Sequence, residues 1–315
     1  MISFNSSFNE SIISNYSLPD HGGQEKHNLD WYVPVIVNCA LNAPLSITAI
    51  MGNAIIIYSI WSSPSLHSPS ITLLFGLAIC DLSVGMIVQP FYVIYHVFYI
   101  TNQRQTGAIM MKAFNVISNL LCGVSFLTTT AVSIDRYLAV HLHLRYQELV
   151  TVRRTGRLLV VLWFVAALVA STLLWNPDVT FFAALLVIAT CLATTIGVYA
   201  RIFMVVRIQQ KKIVQQRAGQ TTGTAMENTK SALSMFYVCF VHTLCYLPYF
   251  VFLILRDGYA TTEFTYLATE FSQTLIFLNS SLNPVLYCWR LRDIRAAVKN
   301  TLNKFCCRWT VRICR

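Results

Sequence analysis

From Ile71 to Tyr99 the sequence reads ITLLFGLAICDLSVGMIVQPFYVIYHVFY, and Asp81 is its single residue among Asp, Glu, Lys and Arg. A helix crosses the hydrocarbon core of a bilayer, about 30 Å thick, with about 20 mostly apolar residues. The stretch is long enough and apolar enough to do so. It therefore predicts a membrane-spanning helix.

Six further stretches have the same character. We call the seven stretches spans 1 to 7, and they cover residues 33–60, 71–99, 108–140, 156–175, 180–207, 231–255 and 266–289. Over the 315 residues, 56% are hydrophobic and 11% are charged, whereas soluble domains carry about 25% charged residues. The composition argues against a cytosolic enzyme, a nucleic-acid-binding module and a disordered chain. The predicted fold is an all-α membrane protein, a seven-transmembrane helix bundle.

The positive charge predicts the orientation of the bundle. The formal net charge is +10, and most of the 23 Lys and Arg residues lie at the ends of spans 3, 5 and 7 or in the segments that follow them. Loops rich in Lys and Arg stay in the cytoplasm. The N-terminus is therefore predicted outside and the C-terminus inside. Since the charge indicates topology, no nucleic-acid partner is expected.

The two terminal segments have distinct predicted roles. Residues 1–32 form an extracellular tail with glycosylation sequons at Asn5, Asn9 and Asn15, and residues 33–290 form the seven-transmembrane domain. Residues 291–315 form a short amphipathic cytoplasmic helix and a tail, with cations near membrane lipids. Cys306 and Cys307 are candidate palmitoylation sites, with two free thiols as the alternative. The predicted location is the plasma membrane.

Polar residues inside spans are costly, so each is a functional candidate. Asp81 is predicted to be the one deep carboxylate, and a buried carboxylate needs a proton, a cation or a ring of donors. The polar residues that could line such a site are Ser125, Asn279, Ser280 and Asn283, together with Asn53. One interpretation is a small site for a monovalent cation. The alternative is a neutral Asp81 in a hydrogen-bonded packing network.

Several short motifs lie within the predicted spans. Asp135-Arg136-Tyr137 ends span 3, where a breakable acid–arginine pair can release a cation for a partner. The other motifs are Gly52-Asn53, Leu77-Ala78-Ile79-Cys80-Asp81, Trp163, Tyr199, Cys245-Tyr246-Leu247-Pro248 and Asn283-Pro284-Val285-Leu286-Tyr287. With these residues in this order, the chain resembles a rhodopsin-like (class A) G protein-coupled receptor over about residues 33–307.

The resemblance implies two groups of functional residues. Asp81, Ser125, Asn279, Ser280 and Asn283 match the sodium pocket of the family. The residues that match coupling and activation positions are Asp135, Arg136, Tyr137, Leu144, Tyr199, Pro248, Pro284 and Tyr287. The implied partners are a heterotrimeric G protein, arrestin and a receptor kinase. Sodium is implied as an allosteric modulator, and no other cofactor is expected.

Some positions depart from the usual family pattern. Met111 stands where span 3 usually opens with Cys, Cys191 stands where span 5 usually has Pro, and the loop between spans 4 and 5 is short. These features resemble the melanocortin, cannabinoid, lysophospholipid and adenosine receptors. The acidic cluster that melanocortin receptors use is missing from the sequence, so melanocortin binding is not implied.

A polar stripe on span 3 predicts the ligand site. Asn115, Ser118, Asn119 and Cys122 recur on one helical face. By resemblance this face borders the ligand cavity together with Gln89, Tyr246, Phe250, Gln273 and Phe277. The alternative is polar contact between helices. Ser118 stands where amine receptors carry Asp, which favours a neutral or amphipathic small molecule, lipid or peptide. Glu270, near the outer mouth, could still attract a cation.

The predicted function is a receptor that converts extracellular ligand binding into G-protein activation without covalent chemistry of its own. Two alternatives stay open. A transporter or channel would need several charged groups along a path through the membrane. A receptor-like protein that never couples to a G protein would act as a partner of other proteins.

Overall fold

The computed structural model describes residues 25–101, 103–142, 145–215, 223–258 and 263–313. Each span is helical. The bounds are Glu25–Trp61 for span 1, Pro69–Ser83 and Gln89–Ile100 for span 2, Arg104–Leu142 for span 3, Val152–Ser171 for span 4, Pro177–Gln215 for span 5, Gly223–Gly258 for span 6 and Glu263–Arg290 for span 7. Between its two segments, span 2 makes a π-helical turn at Val84–Val88.

Local sequence explains where two of the helices begin. Pro69 is the first residue of span 2, and the Ser68 side chain accepts a hydrogen bond from the Ile71 backbone N–H. Pro at the first helical position and Ser before it are both preferred there, because they suit backbone groups that have no partner within the helix. Thr151 caps span 4 in the same way, since its side chain accepts from the Arg154 N–H.

Within the described residues, five helices are long and apolar enough to cross a membrane. They are Val33–Trp61, Pro69–Phe98, Gln105–Leu142, Val152–Leu174 and Pro177–Val205. Span 6 contributes a shorter apolar stretch, Tyr237–Phe252. We call the end of the bundle where spans 1, 3, 5 and 7 begin the outer end, because the charge distribution predicts that it faces outward. The opposite end is the inner end.

Two α-helices outside the spans lie at the inner end. The loop helix, Tyr146–Leu149, follows span 3. The tail helix, Arg292–Ile313, follows span 7 where the sequence predicts an amphipathic helix. Ile294 and Ala297 of the tail helix are buried in a hydrophobic cluster with Ile56 of span 1 and Leu74 of span 2. One face of the tail helix therefore packs on the bundle.

Spans 1 and 7 approach each other closely beside Gly52. A Cβ atom placed on Gly52 would lie 2.9 Å from Cγ and 3.1 Å from Cβ of Pro284. The proline ring is rigid, so it cannot move aside as the end of a long side chain could. Glycine at position 52 is therefore what allows the two helices to meet at this depth.

We expect Gly52→Ala to destabilise the bundle by about 1–3 kcal/mol, the usual cost of overpacking a filled core. The measurement is the unfolding temperature of the detergent-purified protein. Gly156→Ala is the matched control, because nothing lies within 4 Å of a Cβ atom at that position. Equal unfolding temperatures for the two variants would contradict the close contact.

Candidate ligand, ion and G-protein sites

A polar contact joins spans 2 and 7 in the middle of the bundle. Asn283 Nδ2 donates a 2.7 Å hydrogen bond to Asp81 Oδ2. Asp81 is only 1% exposed. Span 3 meets span 2 at the same depth, where Cys80 Sγ donates to the Leu121 carbonyl at 3.2 Å. The sequence-predicted pair Asp81 and Asn283 is therefore in direct contact.

Asn53 of span 1 takes over a backbone acceptor that Pro284 leaves unused. A proline has no N–H, so Pro284 cannot donate to the carbonyl four residues earlier, which belongs to Ser280. Asn53 Nδ2 donates to this carbonyl at 3.0 Å and to the Ala49 carbonyl at 2.9 Å. The Asn53 side chain thus replaces the hydrogen bond that span 7 loses at Pro284.

Several buried oxygens in this region have no hydrogen-bond partner among the described residues. They are Asn53 Oδ1, Ser125 Oγ, Asn279 Oδ1 and Asn283 Oδ1. Buried polar groups in proteins are generally hydrogen-bonded, often to ordered water. Oxygen atoms beside a carboxylate are also the ligands that hard cations prefer. The residues present therefore fit a hydrated monovalent cation next to Asp81.

A ring cluster lies beside this polar region, between spans 3 and 6. His242 stacks on Tyr246 with ring centroids 4.4 Å apart, and Phe126 meets both rings edge-on at 4.7–4.8 Å. His242 Nδ1 lies 3.4 Å from Asn279 Nδ2. His242 therefore joins the ring cluster to span 7. His242 was not predicted from the sequence, although a histidine within a membrane span is a functional candidate for the same reason as Asp81.

At the inner end, Asp135 accepts hydrogen bonds from three elements. Ser70 Oγ of span 2 donates to Oδ2 at 2.7 Å, and Arg136 Nε donates to the same oxygen at 3.0 Å. The Tyr146 hydroxyl of the loop helix donates to Oδ1 at 2.6 Å. Burial and the neighbouring Asp135 carboxylate raise the pKa of Tyr146 to about 12, so its phenol keeps the proton that it donates.

The other predicted coupling residues lie on spans 3, 5, 6 and 7. The Tyr199 hydroxyl donates to Cys239 Sγ at 3.3 Å. Tyr287 is fully buried, and its hydroxyl has no hydrogen-bond partner within the described part of the chain. Tyr137 stacks on His141 with centroids 5.4 Å apart. Pro248 and Pro284 lie inside helices.

Arg290, the last residue of span 7, links spans 6 and 7 at the inner end. Its Cζ atom lies 3.6 Å from the ring centroid of Tyr237 in span 6 and 3.9 Å from that of Trp289. A guanidinium over aromatic faces is attracted by the ring electrons, by about 0.5–1 kcal/mol at exposed sites. The contact adds a restraint on the inner end of span 6.

Some predicted sites lie outside what the structure describes. Leu144 and the sequons at Asn5, Asn9 and Asn15 fall outside the described residues. Cys306 and Cys307 belong to the tail helix, but their side chains are likewise outside the description. These assignments stay predictions.

The predicted ligand residues do not share one cluster in the structure. Cys122, Tyr246 and Phe250 pack in one cluster between spans 3 and 6. Asn119 Nδ2 donates to the Asn115 carbonyl at 2.9 Å, while Ser118 Oγ and Gln273 Oε1 are buried without a partner among the described residues. Phe277 lies in a separate cluster with Tyr92, and Gln89 Nε2 lies 3.5 Å from the Asn42 carbonyl of span 1. Their binding role stays a prediction.

Glu270 at the outer end is a buried carboxylate that the sequence analysis placed only near the outer mouth. Glu270 lies near the outer mouth as predicted, and the structure adds that it is buried, with only 7% of its surface exposed. The Tyr92 hydroxyl donates to Glu270 Oε2 at 2.8 Å, and His96 Nε2 lies 3.1 Å from the same oxygen. Tyr92, Tyr95 and His96 recur at i, i+3 and i+4, which is the sequence signal for this cluster.

The helical bundle agrees with the family to which the sequence can be matched. A sequence model of the family described as "7 transmembrane receptor (rhodopsin family)" matches residues 52–176 and 170–287. The chain belongs to this family. The receptor is therefore a seven-transmembrane protein, and the class A resemblance noted from its motifs is confirmed.

Individual relatives extend the likeness over most of the chain. The receptor is 24% identical over 301 residues to melanocortin receptor 4 of Danio rerio, covering 92% of this chain and 90% of the relative. It is 26% identical over 296 residues to the human histamine H2 receptor, covering 84% and 78%. It is 25% identical over 300 residues to the human adenosine receptor A2a, covering 82% and 70%.

We expect Tyr146→Phe to destabilise the receptor by about 1–2 kcal/mol, because Asp135 loses a donor to its charged oxygen. The measurement is the unfolding temperature of the purified protein. Tyr137→Phe is the control, since it keeps the ring that stacks on His141. The deficit should be constant below the ordinary tyrosine pKa of about 10. Equal unfolding temperatures of the two variants would show that the Tyr146 contact contributes nothing.

Proposed function

We propose that this receptor converts binding of an extracellular ligand into activation of a heterotrimeric G protein. The observation that carries the proposal is the enclosed Asp135–Arg136 pair at the inner end of span 3. Asp135 is only 5% exposed and already accepts from Ser70, Tyr146 and Arg136. This arrangement holds Arg136 in a position from which it can be released.

The release follows from movement of span 6. Pro248 removes one backbone hydrogen bond within that helix, so the helix can bend there. Outward movement of its inner half would separate Tyr237 from Arg290 and open the space beside Arg136. Arg136 would then exchange Asp135 for the tail of a Gα subunit. Charge-assisted contacts of an arginine are strong enough to make this exchange a switch between two states.

The family match favours a receptor over a transporter or channel. The enclosed carboxylates Asp81, Asp135 and Glu270 lie at three depths, and each accepts a hydrogen bond from a neighbouring span. A receptor-like protein that does not couple remains the second candidate. It is distinguished from the first by direct measurement of nucleotide exchange.

The test is basal and ligand-stimulated nucleotide exchange on a panel of purified Gα subtypes. We expect the wild-type receptor to accelerate exchange on at least one subtype and Arg136→Ala to reduce the acceleration by about tenfold or more, the effect of losing one strong charge-assisted contact. Arg153→Ala, an exposed cation at the same end, is the control. Unchanged exchange in Arg136→Ala would refute the coupling mechanism. No acceleration on any subtype would favour the non-coupling candidate.

The ligand is proposed to bind between spans 3, 6 and 7 on the outer side of the Asp81 region. The polar stripe of Asn115, Ser118 and Asn119 and the rings of Tyr246 and Phe250 support this place. The relatives are named for melanocortin, histamine and adenosine, which differ widely in chemistry. The ligand class must therefore be inferred from the residues of this chain.

Sodium is proposed as a modulator held beside Asp81. When bound, the ion would neutralise the charge of the carboxylate. The buried oxygens of Ser125, Asn279 and Asn283, which have no hydrogen-bond partner among the described residues, would coordinate it. Asp81 and Asn283 already connect spans 2 and 7. A cation bound next to Asp81 would favour the arrangement in which these spans stay together.

We expect NaCl to raise the unfolding temperature of the purified receptor more than N-methylglucamine chloride at the same ionic strength. A ligand at ten times its Kd adds about 1.4 kcal/mol to the stability of the folded state. Asp81→Asn should abolish the difference between the two salts, while Asp293→Asn, an exposed acid on the tail helix, should retain it. A salt difference that survives in Asp81→Asn would exclude a sodium site at this carboxylate.

We propose that the receptor resides in the plasma membrane with its N-terminus outside, supported by the distribution of Lys and Arg. The sequons support glycosylation at Asn5, Asn9 and Asn15, and the position of Cys306 and Cys307 in the tail helix supports palmitoylation. Arrestin, a receptor kinase and membrane lipids are proposed further partners at the inner end.

A further inference from the structure

A chain of hydrogen bonds crosses the inner half of the bundle from span 5 through span 6 to span 3. The Tyr199 hydroxyl of span 5 donates to Cys239 Sγ of span 6 at 3.3 Å. Cys239 Sγ in turn lies 3.3 Å from Ser133 Oγ of span 3, and Ser133 Oγ donates to the Thr129 carbonyl at 3.0 Å. The Cys239 thiol is therefore the middle of a chain that joins three helices.

The protons give this chain one direction. A hydroxyl has a single proton, and Ser133 donates its proton to the Thr129 carbonyl, so Ser133 Oγ accepts from the Cys239 thiol. The thiol proton has a second and more distant acceptor in the same carbonyl, 3.9 Å from the sulfur. Cys239 thus accepts a hydrogen bond from span 5 and donates one to span 3.

Two members of the chain are enclosed within the bundle. Ser133 is 0% exposed and Cys239 is 2% exposed, and the Tyr199 side chain packs against the buried pair Val140 and Ile202. Loss of the partner of an enclosed donor or acceptor costs free energy, because no water replaces that partner. Separation of Cys239 from Tyr199 and Ser133 is therefore unfavourable.

The chain lies in the part of the bundle that opens in the proposed coupling step. Cys239 is nine residues before Pro248, in the inner half of span 6. Ser133 is three residues before Arg136, so both lie on one face of span 3. Outward movement of the inner half of span 6 would carry the thiol away from span 3. The hydrogen bonds of Cys239 must break for that movement.

A thiol makes this link weak enough to open. Sulfur is a weaker donor and a weaker acceptor than a hydroxyl oxygen, and polar contacts between membrane helices are modest in strength. A link of this kind changes the ratio of closed to open receptor only several-fold. The differential binding energy of a ligand can overcome such a bias.

We propose that Cys239 is a positioning residue that holds the inner half of span 6 in place by linking Tyr199 to Ser133. The inference rests on the proposed coupling function and names a restraint that a ligand must overcome. The Arg290 contact with Tyr237 restrains span 6 against span 7, whereas Cys239 restrains it against spans 3 and 5.

The first test measures the opening of span 6 without a G protein. The purified receptor reacts with iodoacetamide, and mass spectrometry follows the alkylation of each cysteine, because an enclosed thiol reacts only when its surroundings open. Tyr199→Phe and Ser133→Ala each remove one neighbour of the Cys239 thiol. We expect each variant to increase the alkylation rate at Cys239 about threefold, the effect of one polar contact between membrane helices.

Two controls separate this opening from a general loosening of the bundle. Cys80 is buried and donates to the Leu121 carbonyl between spans 2 and 3, so its alkylation rate in the same samples should not change. Thr194→Val removes an exposed hydroxyl of span 5 that bonds only within its own helix, and it should leave the rate at Cys239 unchanged. An equal rise at Cys80 and Cys239 would count against the proposal.

The second test measures basal nucleotide exchange on the Gα subtype that the wild-type receptor activates. Cys239→Ala removes both hydrogen bonds of the thiol, whereas Cys239→Ser shortens the side chain but keeps a donor and an acceptor. We expect Cys239→Ala to raise basal exchange several-fold and Cys239→Ser to stay at or below the wild-type rate. A defect caused only by lost packing would shift both variants in the same direction.

Two outcomes would overturn the proposal. In one, alkylation at Cys239 in either Tyr199→Phe or Ser133→Ala is no faster than in the wild type. In the other, Cys239→Ala leaves basal exchange unchanged, or Cys239→Ser raises it equally. Faster alkylation in a receptor that activates no Gα subtype would support the link and refute only the coupling function. Nucleotide exchange by the wild type with no change in alkylation would refute only the link.

Discussion

Asn283 donates to Asp81 across the middle of the bundle, and the arrangement of spans 1, 2 and 7 depends on this contact. In lipid, a backbone or side-chain polar group that loses its partner finds no water to replace it. Pro284 creates such a loss at the Ser280 carbonyl, and Asn53 corrects it from span 1. Gly52, next to Asn53, lets the two helices come close enough for this correction. Contacts among Gly52, Asn53, Asp81, Asn283 and Pro284 thus connect three helices.

Span 7 carries the groups that connect the proposed sites. Glu270, Asn279 and Asn283 occur on one helix, at the outer end and in the middle, and Arg290 ends the same helix beside Tyr237. A ligand that favours one position of span 7 would also alter the surroundings of Asp81. By thermodynamic reciprocity, an ion at Asp81 would change the affinity for that ligand by the same factor.

Much of this architecture could be predicted from sequence, because hydropathy and motifs can be recognised without knowing how the helices pack. The spans follow from hydropathy, whereas the grouping of Asp81 with Asn283 and the position of Asp135-Arg136 follow from motifs of the family that the chain resembles. The enclosure of Glu270 did not, since its donors lie more than 170 residues away on span 2. His242 was missed for a similar reason. An apolar helix gives no indication of which polar side chain will face a partner until the neighbouring helices are in place.

The π-helical turn at Val84–Val88 has a consequence for comparing receptors by residue counting. A turn of this kind accommodates one residue more than an ordinary helical turn, which rotates everything after it by about 100° around the helix axis. Tyr92, Tyr95 and His96 follow the turn, whereas Asp81 precedes it. In a relative whose span 2 is regular, the residue at the same distance from its aspartate would face a different neighbour. A single inserted or deleted residue here would therefore exchange one set of contacts with spans 3 and 7 for another during divergence, with the inner half of the helix unchanged.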